Sequence, residues 1–143
     1  MLYSLVQFTK NYVDFNTSEL VELASLFKPM TLDKNEVVLI NKEPLSDIFF
    51  LEQGVLKSYL ENDEKIYFEK FYFNPIFFSD LNALVNKKKS QINFVAIKNS
   101  DLFKANFEDI INLTESSKKH NLFFKKIFED DYMFNKYNLI YKN

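Results

Sequence analysis

Ile48-Phe49-Phe50-Leu51-Glu52-Gln53-Gly54-Val55-Leu56-Lys57-Ser58-Tyr59-Leu60 sets two short apolar, β-prone runs on either side of Gly54, the only glycine in 143 residues. Glycine reaches φ > 0 without steric cost, and a fold with many turns normally uses several. Keeping one, between two strand-like runs, marks a backbone geometry that other residues fit poorly. The pattern predicts a strand, a tight turn and a second strand, with Gly54 as the hairpin glycine.

The flanking sequence extends that β reading. Glu36-Val37-Val38-Leu39-Ile40 is β-branched, and Ile66 to Phe73 is a long aromatic-rich run closed by Asn74-Pro75. Asn62-Asp63-Glu64 reads as the turn between strands. Ile76-Phe77-Phe78 leads into Ser79 to Leu84, short enough for one helical turn. Ile92–Ile97 and Leu102–Ala105 follow beyond an exposed loop tip at Lys87-Lys88-Lys89. About seven short strands separated by turn signals predict a closed or double-sheet β structure.

Helical patterns bracket this region. Leu2, Leu5, Val6, Tyr12, Val13 and Phe15 suit a short amphipathic helix within 1–15. Asn16 with Glu19 three residues later is a capping box, and Leu20, Leu23, Ala24 and Phe27 follow at helical spacing before Pro29. After Asn106, a cap candidate, come Phe107, Ile110 and Ile111, then a long final helix from Ser116 or Ser117. Its apolar stripe Phe123, Ile127, Phe134, Tyr137 and Tyr141 either packs on the β core or pairs with a second copy.

Composition narrows the chemistry. With 17 Phe and 8 Tyr there is ample core material for one domain. Without cysteine, disulfides and thiolate chemistry are excluded. All 18 basic residues are Lys, so no side chain can grip a phosphate with a bidentate guanidinium, and a net charge of −2 is not the footprint of a nucleic-acid binder. The N-terminus does not read as a signal peptide and no run approaches a membrane span, which predicts a cytoplasmic protein with no membrane contact. His120, alone beside Lys118 and Lys119, reads as an exposed residue, and one His cannot furnish a metal site of the cupin kind. No nucleophile elbow is present. The expectation is a protein that is not an enzyme and holds no metal and no cofactor.

The order of elements resembles the cyclic-nucleotide-binding sensor domain of the Crp/Fnr regulators, and three stretches in register carry the resemblance. Leu26-Phe27-Lys28-Pro29-Met30-Thr31-Leu32-Asp33-Lys34-Asn35-Glu36 is similar to the family's "LFKPxxLxKGE" entry, with Asn35 where glycine is usual. Asp47 to Lys57 is similar to its "D-x-x-Y-F-I-x-x-G-x-x-K/R" stretch. Phe71 to Leu81 stands where the family has an aromatic strand and its phosphate-binding cassette. The resemblance implies a mainly β fold with flanking helices (α+β): N-terminal helices over 1–28, a jelly-roll-like β-roll over 34–105, and C-terminal helices over 106–143. It also implies a homodimer joined through the terminal helix.

The departures bear on function. Members that bind cAMP carry "F-G-E-hydrophobic" followed by "R-S/T-A", where Gly and Arg hold the cyclic phosphate and Glu takes the ribose hydroxyl. Here the cassette is Phe78-Ser79-Asp80-Leu81 and the later stretch is Ser90-Gln91-Ile92. A neutral Ser-Gln pair cannot replace the charge-assisted contacts of Arg. The expectation is therefore a degenerate site that does not bind cAMP and takes an effector of unidentified chemistry. The alternative is a ligand-free module that pairs with itself or with a full-length regulator. The sequence given ends at Asn143 without the winged helix-turn-helix of full-length members, so no direct DNA binding is expected of this chain. Phe68, Phe71, Phe73, Phe77 and Phe78 either fill the roll or line an apolar pocket inside it.

Overall fold

The computed structural model describes residues 1–38, 44–62 and 65–142, with backbone alone at 61, 62 and 131–142. Two helices come first, α1 (Leu2–Thr9) and α2 (Thr17–Ala24). The Asn16 side chain accepts from Glu19 N at 2.9 Å, and the Glu19 carboxylate accepts from Asn16 N at 2.8 Å, so the capping box forms as expected. The strands are β1 (Lys28–Leu32), β2 (Val37–Val38), β3 (Asp47–Gln53), β4 (Val55–Asn62), β5 (Lys65–Phe73), β6 (Ile76–Phe78), β7 (Ile92–Ala96) and β8 (Ser100–Asn106). Between β6 and β7 lies the short α3 (Leu81–Asn86); α4 (Phe107–Ser116) and α5 (Lys118–Lys142) end the chain. Leu39, Ile40 and the expected turn residues Asp63 and Glu64 fall outside the described residues.

The strands form two antiparallel four-stranded sheets, β1-β8-β3-β6 and β2-β7-β4-β5. The first strand starts at Lys28, ahead of the roll boundary expected at 34 and of the first expected strand at Glu36. It carries Pro29 because β1 is an edge strand, where a missing N–H costs no ladder bond.

The expected hairpin at Gly54 is absent. β3 pairs with β8 and β6, whereas β4 pairs with β5 and β7, so Gly54 is the corner at which the chain leaves one sheet for the other. Its φ is 132°, and an added Cβ would run into the Ser100 side chain and stand 2.9 Å from Ser100 Cα. The backbone of β8 passes so close that only glycine fits. A second position of positive φ is Asn35 (76°), held by the residue type most tolerant of that region after glycine.

Alternation along the shared sheet divides the core. Ile48 and Phe50 join a helix-side cluster with Leu5, Leu23, Phe77, Ile110 and Phe123, while Phe49 and Leu51 join the roll interior with Leu56, Tyr72, Phe78 and Phe94. Both faces of β3 are covered, which is why its sequence reads as a continuous apolar run. The sequence reading left the five phenylalanines open between core and pocket. Phe78 is core in the roll, Phe77 is core under the helices, and Phe68, Phe71 and Phe73 are 47%, 51% and 63% exposed on β5.

One reading of the terminal helix is corrected, and one open choice is answered for two of its residues. His120 is fully buried, with Nδ1 2.6 Å from Ser117 Oγ, Nε2 3.0 Å from the Glu19 carbonyl, and its ring stacked on Phe15 at 4.7 Å. An Nε2–H tautomer donates to the carbonyl and accepts the Ser117 hydroxyl, so both ring nitrogens are satisfied in the core. Phe123 and Ile127, left open between the β core and a dimer seam, are buried against this chain's own helices and sheet. The helix has its apolar face covered from within at that end. Phe134, Tyr137 and Tyr141 lie in α5, but their side chains fall outside the described residues.

Candidate functional site

The cassette begins where β6 delivers Phe78 into the roll interior. Phe78 stacks on Phe49 at 5.2 Å and meets Phe94 at 4.8 Å and Tyr72 at 5.9 Å. These four rings, drawn from both sheets, fill the interior beside the cassette.

Ser79 turns away from that interior, and its hydroxyl donates to the Asp47 carbonyl at 2.8 Å, tying the cassette to the start of β3. Asp80 is the N-cap of α3, with Oδ1 accepting from Ala83 N at 3.1 Å. Its Oδ2 lies 3.0 Å from Ser90 Oγ and 3.3 Å from Gln91 N. Asp80 and Ser90 are 7% and 5% exposed, so this carboxylate is engaged by internal donors and screened from solvent. Ser90 Oγ also accepts from Ile92 N at 3.0 Å and lies 2.8 Å from the Ile92 carbonyl. Its one hydrogen serves either that carbonyl or Asp80 at a given moment.

The structure thus brings Asp80, Ser90 and Gln91 together and joins them to one another. Gln91 contributes its backbone N–H while the residue itself is exposed, and Ile92 is buried in the roll. Leu81 is half-buried and faces a different space. Lys87, Lys88 and Lys89 are exposed; Lys87 closes α3 in the left-handed region and Lys88 N donates to the Ala83 carbonyl.

That other space is a cleft of about 270 Å3 at the β6 edge of the first sheet, bordered both by the helices and by residues of the roll. Ser79, Leu81 and Leu84 form the cassette wall, Phe8 and Tyr12 the wall from the α1 segment, and Ile127, Phe128 and Asp130 the wall from α5. Lys70 of β5 also borders it, with its ammonium 4.4 Å from the centre of the Tyr72 ring. Tyr12 donates to Asp130 Oδ2 at 3.1 Å; burial first, and then the Asp130 carboxylate, raise its phenol above the ordinary range. Sequence reasoning missed this cleft because its walls come from opposite ends of the chain. The usable signal was limited to Phe8 and Tyr12, spaced as a helical pair ahead of the capping box.

Among the described residues no cluster of His, Asp and Glu is placed to hold a metal ion, and no helix is long and apolar enough to cross a membrane.

No protein-family model matches the sequence, and no curated protein matches it either. Solved structures do match. A cyclic nucleotide-binding domain from Methylobacillus flagellatus is similar at a TM-score of 0.84 and 11% identity, over 99% of this chain and 84% of that one. The catabolite activator protein of Thermus thermophilus is similar at 0.75 and 10% identity, over 95% of this chain and 61% of that one. A transcriptional regulator from Thermotoga maritima follows at 0.71 and 20% identity, over 87% and 97%. The chain therefore has the cyclic-nucleotide-binding fold, a β-roll with flanking helices and a C-terminal helix.

Proposed function

We propose that this chain is a non-enzymatic regulatory domain of the Crp/Fnr type whose cassette has become a structural clasp. One observation carries the reading: the Asp80 carboxylate, which by resemblance stands where a ribose hydroxyl would be taken, is occupied by Ala83 N, Ser90 Oγ and Gln91 N. The four rings packed in the roll beside it support the same conclusion. The effector suited to this domain is a mainly apolar molecule entering the cleft, where it touches the cassette and α5 at once and biases the helix.

A thermal-shift screen tests this. Cyclic AMP and cyclic GMP at millimolar concentration are expected to leave Tm unchanged, because a ligand stabilises only by binding the folded state. A stabilising apolar compound should lose its effect in Leu81→Trp, which narrows the cleft. A clear rise in Tm with either cyclic nucleotide, abolished by Asp80→Ala, would overturn the reading. A second reading, a ligand-free module that works by pairing with copies or relatives, is favoured by the exposed aromatic side chains of β5.

A further inference from the structure

β5 is the last described strand of its sheet, and its two faces are read from its pairing with β4. Lys70 and Tyr72 stand opposite the buried Ser58 and Leu56, and Tyr67 stands opposite Leu60, so these three face the roll. Glu69 is the extra residue of a bulge, and the bulge turns it inward as well, where its carboxylate accepts from Ser58 Oγ at 3.4 Å. Ile66, Phe68, Phe71 and Phe73 take the outer face, exposed by 66%, 47%, 51% and 63%. Their rings touch along the strand, Phe68 to Phe71 at 5.0 Å and Phe71 to Phe73 at 6.3 Å.

Ile66-Tyr67-Phe68-Glu69 and Lys70-Phe71-Tyr72-Phe73 are therefore mirror images in both chemistry and facing. Read from either end toward the Glu69–Lys70 bond, each half runs outward apolar, inward Tyr, outward Phe, inward charge. An uninterrupted strand of period 2 cannot have that symmetry about a bond, because adjacent residues would face opposite ways; the bulge at Glu69 creates it.

We propose that β5 is a self-complementary edge through which two copies of this chain pair antiparallel about the Glu69–Lys70 bond. In that register Ile66 lies opposite the second copy's Phe73, Tyr67 opposite its Tyr72, and Phe68 opposite its Phe71. Glu69 lies opposite its Lys70, and the two-fold repeats each pair. Every pair joins residues of the same face, opposite charges meet twice, and the outer phenylalanines merge into one apolar patch. A second copy is the occupant because the edge is complementary in sequence, charge and facing to itself. The pairing goes beyond the cassette reading and does not depend on it; failure of one leaves the other standing.

The chain contains no cysteine, so each variant introduces a unique thiol. Phe68→Cys and Phe71→Cys are made separately in the full chain; both positions are about half exposed, and circular dichroism checks that each variant folds. Under mild oxidation, a mixture of the two should give a disulfide-linked heterodimer at least tenfold faster than either variant alone, since residue 68 meets 71 and never itself. In sedimentation of the cysteine-free protein, Glu69→Lys should weaken the dimer at least tenfold, and the swap Glu69→Lys with Lys70→Glu should restore it. A monomer at every concentration, equal cross-linking in mixture and singles, or a dimer indifferent to Glu69→Lys overturns the proposal.

Discussion

Gly54 shows how much one residue can settle. Its φ of 132° is strained for any L side chain, and a Cβ there would stand 2.9 Å from Ser100 Cα. Gly54→Ala is expected to combine backbone strain with overpacking, together about 3 kcal/mol, seen as a Tm lower by roughly 10 °C for a domain of this size. Adding Ser100→Gly should return part of that loss and leave the backbone part. If Gly54→Ala melts with the parent, the corner is not as tight as the geometry requires. Gly54 also marks what a sequence can and cannot reveal. A lone glycine between two β-prone runs announces a special backbone, but corner and hairpin share the same local signal. Which one forms depends on whether β3 finds β4 or β8, and that is decided by contacts 48 to 59 residues away. The cassette divides in the same way. Phe78, Asp80 and Ser90 were legible only through the resemblance to a family motif, whereas the bonds that close Asp80 onto Ser90 and Gln91 required the fold.

At the scale of elements, α5 is where the sequence left the choice open. A stripe at 3-4 spacing shows that a helix has an apolar face without saying what covers it. Phe123 answers for its own position: it is fully buried, with Phe15, Phe77 and Phe124 rings at 5.6, 5.7 and 5.1 Å. His120 was misjudged for a related reason, since neighbouring Lys118 and Lys119 suggest solvent while the helix turns the imidazole onto Phe15 and the Glu19 carbonyl. The core reading makes Phe123→Ala a folding mutation. It should cost about 3–5 kcal/mol in urea unfolding. The loss should be the same at low and high protein concentration, because the contact lies within one chain. A loss that vanishes on dilution would instead return Phe123 to a seam between copies.

The whole molecule joins two apolar clusters through one sheet, and it also balances two carboxylates of opposite tendency. Glu19 is lowered, first by accepting the Asn16 N–H and then by Lys119, so its contribution is present above the ordinary carboxylate range and lost as pH falls. Asp47, at the start of β3, is raised by burial, with Lys104 opposing the shift only in part. The sign for Asp47 is therefore reversed. The folded chain holds that proton more tightly than the unfolded chain does. The resulting stabilisation is complete below the unfolded value of 3.8 and disappears as pH rises through the higher folded value. At neutral pH the fold carries a partly buried charge that an amide would spare it. Asp47→Asn keeps the backbone carbonyl that accepts from Ser79 and the ladder position opposite Asn106, since both belong to the main chain. Its Tm is expected to exceed the parent's at pH 7, with the difference shrinking steadily as pH is lowered to 3.5. Tm measured across that range decides the matter. A difference that is constant with pH would mean that the Asp47 carboxylate is solvated at the head of β3, and one that grows toward acid would mean that Lys104 outweighs burial and holds the carboxylate below its ordinary range.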